Sequence, residues 1–282
     1  MKIGVCSTDF ESDTIDKIFQ KMASFGFRAT QFSYVSVGED EMLKNVREEM
    51  IEEILAASRK YDVEITAVNA TFNMTNPDKD ILAECIRRME FMCRANQMLG
   101  CDILTLCTGS MNTESMWRYH PDNESPEAWD KMIGTMSRVA EIADNYHMYL
   151  AMETEASNIV STPEKARRAM DQVGYSRLKM IIDCANLFHV GTAHRENVAA
   201  TVRHAFDCFG DDIILAHGKD IAESEGIEFA PVGEGIVDYD LFLQLLKEHS
   251  YEGNMIVHGI YKEELMSPCV AFISRKLQEN GC

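Results

Sequence analysis

The chain has 282 residues, of which 46% are apolar and 26% are charged, enough for a sizeable core in one large domain or two small ones. Lys and Arg total 27 against 46 for Asp and Glu, so the formal net charge is −19. An acidic chain repels phosphate backbones, and we therefore expect no nucleic acid partner. No apolar run approaches the roughly 20 residues of a membrane helix, so we expect no membrane partner either.

The N-terminus and the cysteines indicate a cytoplasmic protein. The first residues reach charged positions by Asp9 without the apolar segment of a signal peptide. Nine cysteines are scattered along the chain and no C-x-x-C pair occurs. This pattern favours free thiols in a reducing compartment over a disulfide framework or a zinc knuckle.

Short apolar runs alternate with longer amphipathic stretches from end to end, which predicts alternating strands and helices. The predicted strands cover residues 3–6, 29–34, 63–69, 103–107, 148–152, 178–182, 213–216 and 255–257. The predicted helices cover residues 14–25, 42–60, 77–99, 126–147, a segment opening at 162–164, and residues 195–209, 239–249 and 263–277.

Eight strand–helix units in sequence predict a parallel sheet, which closes most simply into a single (β/α)₈ TIM barrel. The alternative is an open doubly wound sheet, whose signature is a G-x-G-x-x-G loop after an early strand. Residues 7–10 after the first strand are Ser-Thr-Asp-Phe, without glycine. No linker is apparent, so we expect one domain over residues 1–282.

Polar side chains end four consecutive predicted strands, at Glu153, Asp183, His217 and His258. In a TIM barrel these positions share the rim where the active site lies. Two carboxylates and two imidazoles suit one divalent cation such as Mn²⁺, Zn²⁺, Fe²⁺ or Co²⁺, with Mg²⁺ also open. The alternative is that each residue is an ordinary polar strand end.

Further candidates lie close to these positions. Glu155 follows Glu153 by two residues and points the same way on an extended backbone, and Lys219 can hold a substrate oxygen or a carboxylate. His189 follows the sixth strand and is a candidate substrate contact. The long loop after the fourth strand contains the candidate substrate contacts Trp117, Arg118 and His120. The aromatic side chain can pack against a sugar ring, and Arg118 can bind an anionic group. The alternative is that this loop is a lid without substrate contact.

Several motifs together resemble one family, the xylose isomerase-like TIM-barrel superfamily with its sugar phosphate isomerase/epimerase group. The resemblance covers nearly the whole chain. The motifs are Leu150-Ala151-Met152-Glu153, Ile182-Asp183-Cys184-Ala185-Asn186-Leu187, His217-Gly218-Lys219-Asp220, Pro231-Val232-Gly233-Glu234-Gly235 and, after the third strand, Ala70-Thr71-Phe72-Asn73-Met74. Within them, Asn73 and Asn186 are expected to bind substrate.

The resemblance implies one divalent metal held by Glu153, Asp183, His217 and a residue ending the eighth strand. In the family's epimerases and isomerases that last residue is a Glu, which acts with the fifth-strand Glu as a base on opposite faces of the substrate. Here the position is His258. Many relatives carry His where this chain has Glu155, so we hypothesise that Glu155 restores the lost carboxylate, as ligand or as base.

The implied function is a metal-dependent isomerase or epimerase acting on a sugar or keto-sugar. Glu153 or Glu155 removes a proton next to a carbonyl, and the metal and Lys219 stabilise the enediolate. One alternative is a lyase, either a dehydratase or an enzyme eliminating from a 3-oxo-sugar or glycoside. Another is a non-catalytic sugar-binding barrel or subunit. The expected partner is a small-molecule sugar, and a homo-oligomer stays open because barrels of this group often pair.

Overall fold

A computed structural model describes residues 1–11, 14–260 and 262–282. In this part of the chain ten strands are β1 (Ile3–Cys6), β2 (Ala29–Phe32), β3 (Glu64–Asn69), β4 (Ile103–Leu106), β5 (Tyr149–Glu153), β6 (Leu178–Asp183), β7 (Ile213–Gly218), β8 (Asp220–Ile221), β9 (Phe229–Ala230) and β10 (Met255–Val257). The α-helices are α1 (Ile15–Phe25), α2 (Glu48–Tyr61), α3 (Lys79–Leu99), α4 (Pro126–Asn145), α5 (Pro163–Val173), α6 (Arg195–Phe209), α7 (Tyr239–Glu248) and α8 (Met266–Asn280).

Eight of the strands close into a barrel in the order β1-β10-β7-β6-β5-β4-β3-β2. All neighbours in the barrel are parallel, and a helix follows each strand along the chain. The predicted (β/α)₈ TIM barrel is confirmed. The remaining strands, β8 and β9, form a small antiparallel hairpin in the loop after β7, which the sequence patterns did not indicate.

One predicted helix begins too early. The pattern placed its start at residue 42, whereas α2 begins at Glu48. A short 3-10 turn, Tyr34–Val37, ends at Gly38 in the left-handed conformation, and an irregular loop follows. Met42 and Leu43 are buried in that loop, so their apolar character reflects burial rather than a helical face.

Alternate residues along each barrel strand contribute to two separate cores, as the period of two in a strand requires. The larger core lies between strands and helices. The smaller one fills the lumen of the barrel, which is packed with side chains as in other TIM barrels. Its buried members are Cys6, Ala29, Ala67, Ala151, Ile181, Leu215 and Ile256.

A second ring of inward-facing positions lies two residues further along the strands, nearer their carboxyl ends. These positions hold polar side chains. We call them the polar layer; its members are Gln31, Asn69, Thr105, Glu153, Asp183, His217 and His258. Two pairs of these residues lie directly opposite each other on neighbouring strands, Asp183 with His217 and Asn69 with Thr105.

Two further observations concern membranes and thiols. Among the helices that the structure describes, none has the length and apolar character to cross a bilayer. All nine cysteines are free, and six of them are buried, in agreement with the expected thiols.

Gly4 on β1 lies close to both neighbouring strands, and this yields a prediction. A Cβ here would lie 2.4 Å from Ile256 Cδ1 and 2.8 Å from the Ala29 carbonyl oxygen. We expect Gly4→Ala to lower the free energy of unfolding by about 1–3 kcal/mol through overpacking, measured by urea denaturation. The control is Gly134→Ala in α4, where nothing beyond the adjacent residues and the backbone of the helix itself lies within 4 Å of the new Cβ; it should raise stability by about 0.5–1 kcal/mol. Equal stabilities of the two variants would contradict this account.

Candidate metal and catalytic site

Three members of the polar layer converge at the carboxyl ends of β5, β6 and β7. Ligand atoms of Glu153, Asp183 and His217 all lie within 4.8 Å of one another. Nδ1 of His217 is 3.4 Å from Glu153 Oε1 and 3.7 Å from Asp183 Oδ2. All three side chains are buried. Two carboxylates and an imidazole at this spacing form a plausible ligand set for a divalent cation.

The hydrogen bonds around these residues use one atom of each side chain. Asp183 Oδ1 accepts from the backbone N–H of Ala185 at 2.9 Å and of Asn186 at 3.3 Å. Nε2 of His217 is 2.9 Å from Gln31 Oε1, and Glu153 Oε1 accepts from the Asn186 amide at 2.8 Å. Such outer contacts are the usual way of orienting metal ligands.

The remaining atoms at the centre of the group lack partners. In the described part of the chain six buried side-chain nitrogen or oxygen atoms make no hydrogen bond, and three of them are Asp183 Oδ2, His217 Nδ1 and His258 Nδ1. Buried polar atoms are normally satisfied, so a concentration at one point calls for an explanation. A cation would satisfy the first two, and the residues therefore fit a metal.

The electrostatics of the group agree with this assignment. Burial alone would lower the pKa of His217, but the Glu153 and Asp183 carboxylates outweigh it and raise the pKa to about 9. Burial alone would raise the pKa of Asp183, yet Lys219 and His217 hold it below its usual value. The group therefore attracts positive charge strongly, as a cation site must.

His258 lies beside the three-residue group but outside it. Its ring centroid is 5.5 Å from that of His217. Burial and the neighbouring positive charges of His217 and Lys219 lower the pKa of His258 to about 4, so its ring is neutral at pH 7. Whether His258 is the fourth ligand stays a prediction.

Glu155 also lies at the mouth and outside the three-residue group. Its carboxylate accepts from the backbone N–H and the hydroxyl of Ser157, at 3.5 and 3.4 Å. Burial, followed by repulsion from Glu153, raises the pKa of Glu155 above its usual value. A half-buried carboxyl with a raised pKa is a candidate proton-transfer group.

Lys219 and Asn186 connect the site to the loop after β7. Lys219 Nζ donates to Asn186 Oδ1 at 2.8 Å, and the Asn186 amide in turn donates to Glu153. The same ammonium lies 3.6 Å from the centroid of the Phe229 ring. Lys219 is 6% exposed, so its charge is held at the site rather than in solvent.

Asp220 explains the glycine-rich motif that follows the hairpin. Its carboxylate accepts from the backbone N–H groups of Ile221, Gly233, Gly235 and Val237, at 2.9 to 3.2 Å. A Cβ at Gly235 would lie 2.2 Å from Asp220 Oδ1. The motif therefore fixes the loop beside Lys219.

The other predicted substrate contacts lie in the loops above the barrel. The Asn73 amide donates to the Ser110 carbonyl, and its oxygen accepts from Thr75. Nε2 of His189 is 3.0 Å from the Ser161 carbonyl oxygen. Both side chains thus hold loop backbone, and their contacts with substrate stay predictions.

The loop after β4 presents its candidates to solvent. Trp117 is 54% exposed. Arg118 is also exposed and forms an ion pair with Glu114. His120 caps a 3-10 turn, since its Nδ1 accepts from the Asp122 N–H at 3.2 Å. In this arrangement the three residues lie outside the buried group, and a role in substrate binding stays a prediction.

Gln31, Asp9 and Glu41 were missed as functional candidates. Gln31 contacts His217. Burial raises the pKa of Asp9 and of Glu41 to about 7 each, and Asp9 accepts from the Ile260 N–H at 3.2 Å. Gln31 lies inside β2 rather than at its end, so the signal that identified the candidate ligands, a polar residue ending a strand, does not point to it.

A cavity of about 230 Å³ opens beside His258. Apolar side chains, including those of Phe229, Val232 and Ile260, line it. Cavities of about 150 Å³ hold a benzene ring, so this one has room for part of a small molecule next to the candidate ligands.

The fold and the rim together define a TIM-barrel protein with a candidate divalent-metal centre at the carboxyl ends of its strands. The model of the family described as "Xylose isomerase-like TIM barrel" matches residues 19–271. The chain belongs to this family.

The relatives differ in the activities that their names state. An inosose dehydratase from Clostridium botulinum is 19% identical over 291 residues, which is 95% of this chain and 92% of the relative. The D-psicose 3-epimerase of Clostridium cellulolyticum H10 has 14% identity and a TM-score of 0.74, with 100% of both chains covered. The IOLI protein with a bound zinc atom has 17% identity and a TM-score of 0.74, covering 99% of each chain. The structural likenesses show the fold.

The electrostatics of the three-residue group yield a pH prediction. In chelator-treated protein, NMR titration should give His217 a pKa near 9, against its ordinary 6.5. Because the folded-state pKa is raised, the resulting stabilisation is present below pH 6.5 and lost as pH rises through about 9. Glu153→Gln should lower the pKa of His217 by removing an attracting carboxylate. Glu155→Gln, outside the group, should lower it less; the reverse order would contradict the assignment.

Proposed function

We propose that this protein is a divalent-metal-dependent isomerase or epimerase that removes a proton next to the carbonyl of a sugar or keto-sugar. The observation that supports it best is the Glu153–Asp183–His217 group, whose central atoms lack hydrogen-bond partners, with the half-buried carboxyl of Glu155 beside it. Relatives named as a D-psicose 3-epimerase and an inosose dehydratase support a carbohydrate-like substrate.

Glu153, Asp183 and His217 would hold the cation, with His258 or Glu155 as a fourth ligand. When bound, a divalent cation polarises a carbonyl oxygen and acidifies the neighbouring C–H. His217 must lose its Nδ1 proton to bind, so metal uptake should release protons.

The chain's own residues supply the base and the orientation. Glu155 is the favoured base, because its carboxylate lies outside the ligand group and burial raises its pKa above the usual value. Lys219 carries a buried ammonium that can hold a substrate oxygen and stabilise negative charge developing there. Asn186 keeps both Lys219 and Glu153 in place through its amide.

Elimination is the second candidate, and one feature favours it. An epimerase of the family type uses carboxylates on both faces of the substrate carbon, whereas the strand β10 position here is His258. Loss of a leaving group needs only one base next to the carbonyl. The inosose dehydratase relative supports this candidate.

The test of the reaction is solvent isotope exchange. We would incubate the metal-loaded protein with a panel of ketohexoses, 3-oxo-glucosides and inososes in D₂O and follow NMR and ultraviolet absorbance. Deuterium next to the carbonyl in a recovered epimer or isomer supports the proposal. A conjugated enone without a deuterated epimer supports elimination. Neither deuterium nor enone, with metal bound, would favour a binding protein without turnover.

The base assignment is tested in the same assay. We expect Glu155→Gln to slow proton exchange by about 10²- to 10⁴-fold, the usual contribution of a positioned base, with metal content unchanged. The control is Glu196→Gln on the exposed first turn of α6, which should exchange at the wild-type rate. Full exchange in Glu155→Gln would remove this residue from the mechanism.

The fourth ligand is tested by elemental analysis of purified variants. We expect His258→Ala to lose metal and Glu155→Ala to keep it, because His258 ends the strand next to β7 and its Nδ1 lacks a partner. If Glu155→Ala loses metal instead, the carboxylate is the ligand and His258 becomes the acid–base candidate.

A further inference from the structure

The half of the polar layer away from the candidate ligands forms one continuous chain of hydrogen bonds. Nε2 of His217 is 2.9 Å from Gln31 Oε1, and the Gln31 amide donates to Thr105 Oγ1 at 3.3 Å. The Thr105 hydroxyl donates to Asn69 Oδ1 at 3.0 Å, and the Asn69 amide donates to Glu41 Oε1.

This chain starts on one side of the barrel and crosses the lumen. Asn69, Thr105 and Gln31 lie on the neighbouring strands β3, β4 and β2, whereas His217 lies on β7, separated from β2 by β1 and β10. The contact between His217 and Gln31 therefore bridges strands that are not neighbours.

The direction of the chain follows from its far end. In the structure Asn69 donates its NH₂ group to Glu41 Oε1 and turns its oxygen toward the Thr105 hydroxyl. The Thr105 hydroxyl donates to that oxygen and is left to accept from Gln31. The Gln31 oxygen then faces His217.

Only one tautomer of a neutral His217 is compatible with this chain of hydrogen bonds. The Gln31 oxygen needs a proton on Nε2, which leaves Nδ1 bare. Nδ1 is the atom that lies between Glu153 and Asp183 and has no hydrogen-bond partner. If the Gln31 amide were turned around, its NH₂ group would face Nε2, which would then carry no proton. The ring proton would have to lie on Nδ1, the atom that faces the carboxylates.

We propose that Gln31 is a positioning residue, which keeps the ring proton of His217 on Nε2 and presents Nδ1 to a cation between the two carboxylates. Thr105, Asn69 and Glu41 set the direction of its amide. This inference deepens the proposed function and rests on it in one respect, the identity of the group bound at Nδ1. The positioning itself concerns Nε2 and is measurable without metal.

The experiment uses full-length, chelator-stripped protein with Zn²⁺ as the probe, and competition with a chromophoric chelator gives the Kd. Gln31→Met keeps the size of the side chain and removes the acceptor, and should weaken Zn²⁺ binding by about 10- to 100-fold, as loss of an outer contact to a ligand does. Gln31→Glu keeps an acceptor for Nε2–H and should stay within about threefold of wild type.

Two more variants are needed, a matched control and a variant that removes the next hydrogen bond of the chain. Gln97→Met changes an exposed glutamine of α3, whose amide donates to the Tyr146 carbonyl at 3.3 Å, and should bind Zn²⁺ as wild type does. Thr105→Val removes the hydroxyl that orients Gln31 and should weaken binding less than Gln31→Met. Circular dichroism melts establish that each variant is folded.

The second readout is the His217 ring in ¹⁵N-histidine-labelled protein, with and without Zn²⁺. We expect a hydrogen-bonded, slowly exchanging Nε2 proton in wild type in both states, and its loss of protection in Gln31→Met. If wild type shows that protection but binds no Zn²⁺, the positioning inference stands and the proposed metal function falls. An unprotected Nε2 proton, or wild-type Zn²⁺ affinity in folded Gln31→Met, would overturn the inference.

Discussion

The period of two in a parallel strand is the constraint on which the rest of this molecule depends. Once Ala151, Ile181 and Leu215 face the lumen, the residues two positions further must also face inward. Those residues are Glu153, Asp183 and His217. The same geometry that packs the interior of the barrel therefore brings two carboxylates and an imidazole together at the carboxyl ends of the strands, without any contribution from loop conformation.

Burial makes this convergence electrostatically demanding. Glu153 and Asp183 lie away from solvent, and the chain offers Lys219 and the His217 ring as nearby positive charges. An overall acidic protein adds no compensating field. A cation at the centre of the group would meet that demand directly, while Asn186, Gln31 and the turn after β6 hold the outer atoms of the candidate ligands.

Much of this could be predicted from the sequence, and the reason is periodicity. The alternation of elements indicated the barrel, and strand ends indicated the positions of Glu153, Asp183 and His217. The start of α2 could not be predicted, because Met42 and Leu43 are buried in a loop and mimic a helical face. The β8–β9 hairpin consists of two-residue strands, too short to show alternation. The role of Gln31 depends on a contact across the lumen, which no local pattern encodes.

The candidate ligands and the residues that orient them lie in different halves of the barrel. Every candidate ligand lies on β5 or later, whereas Gln31, Asn69 and Thr105 lie on β2, β3 and β4. Neither half of the barrel therefore contains a complete centre. The half from β5 onward has the candidate metal ligands but lacks the residue that orients His217. The half with β2, β3 and β4 has the orienting residue but lacks candidate ligands. A site built in this way ties ligand geometry to closure of the whole barrel, so that an ancestral or engineered half-barrel could acquire it only by association with the other half.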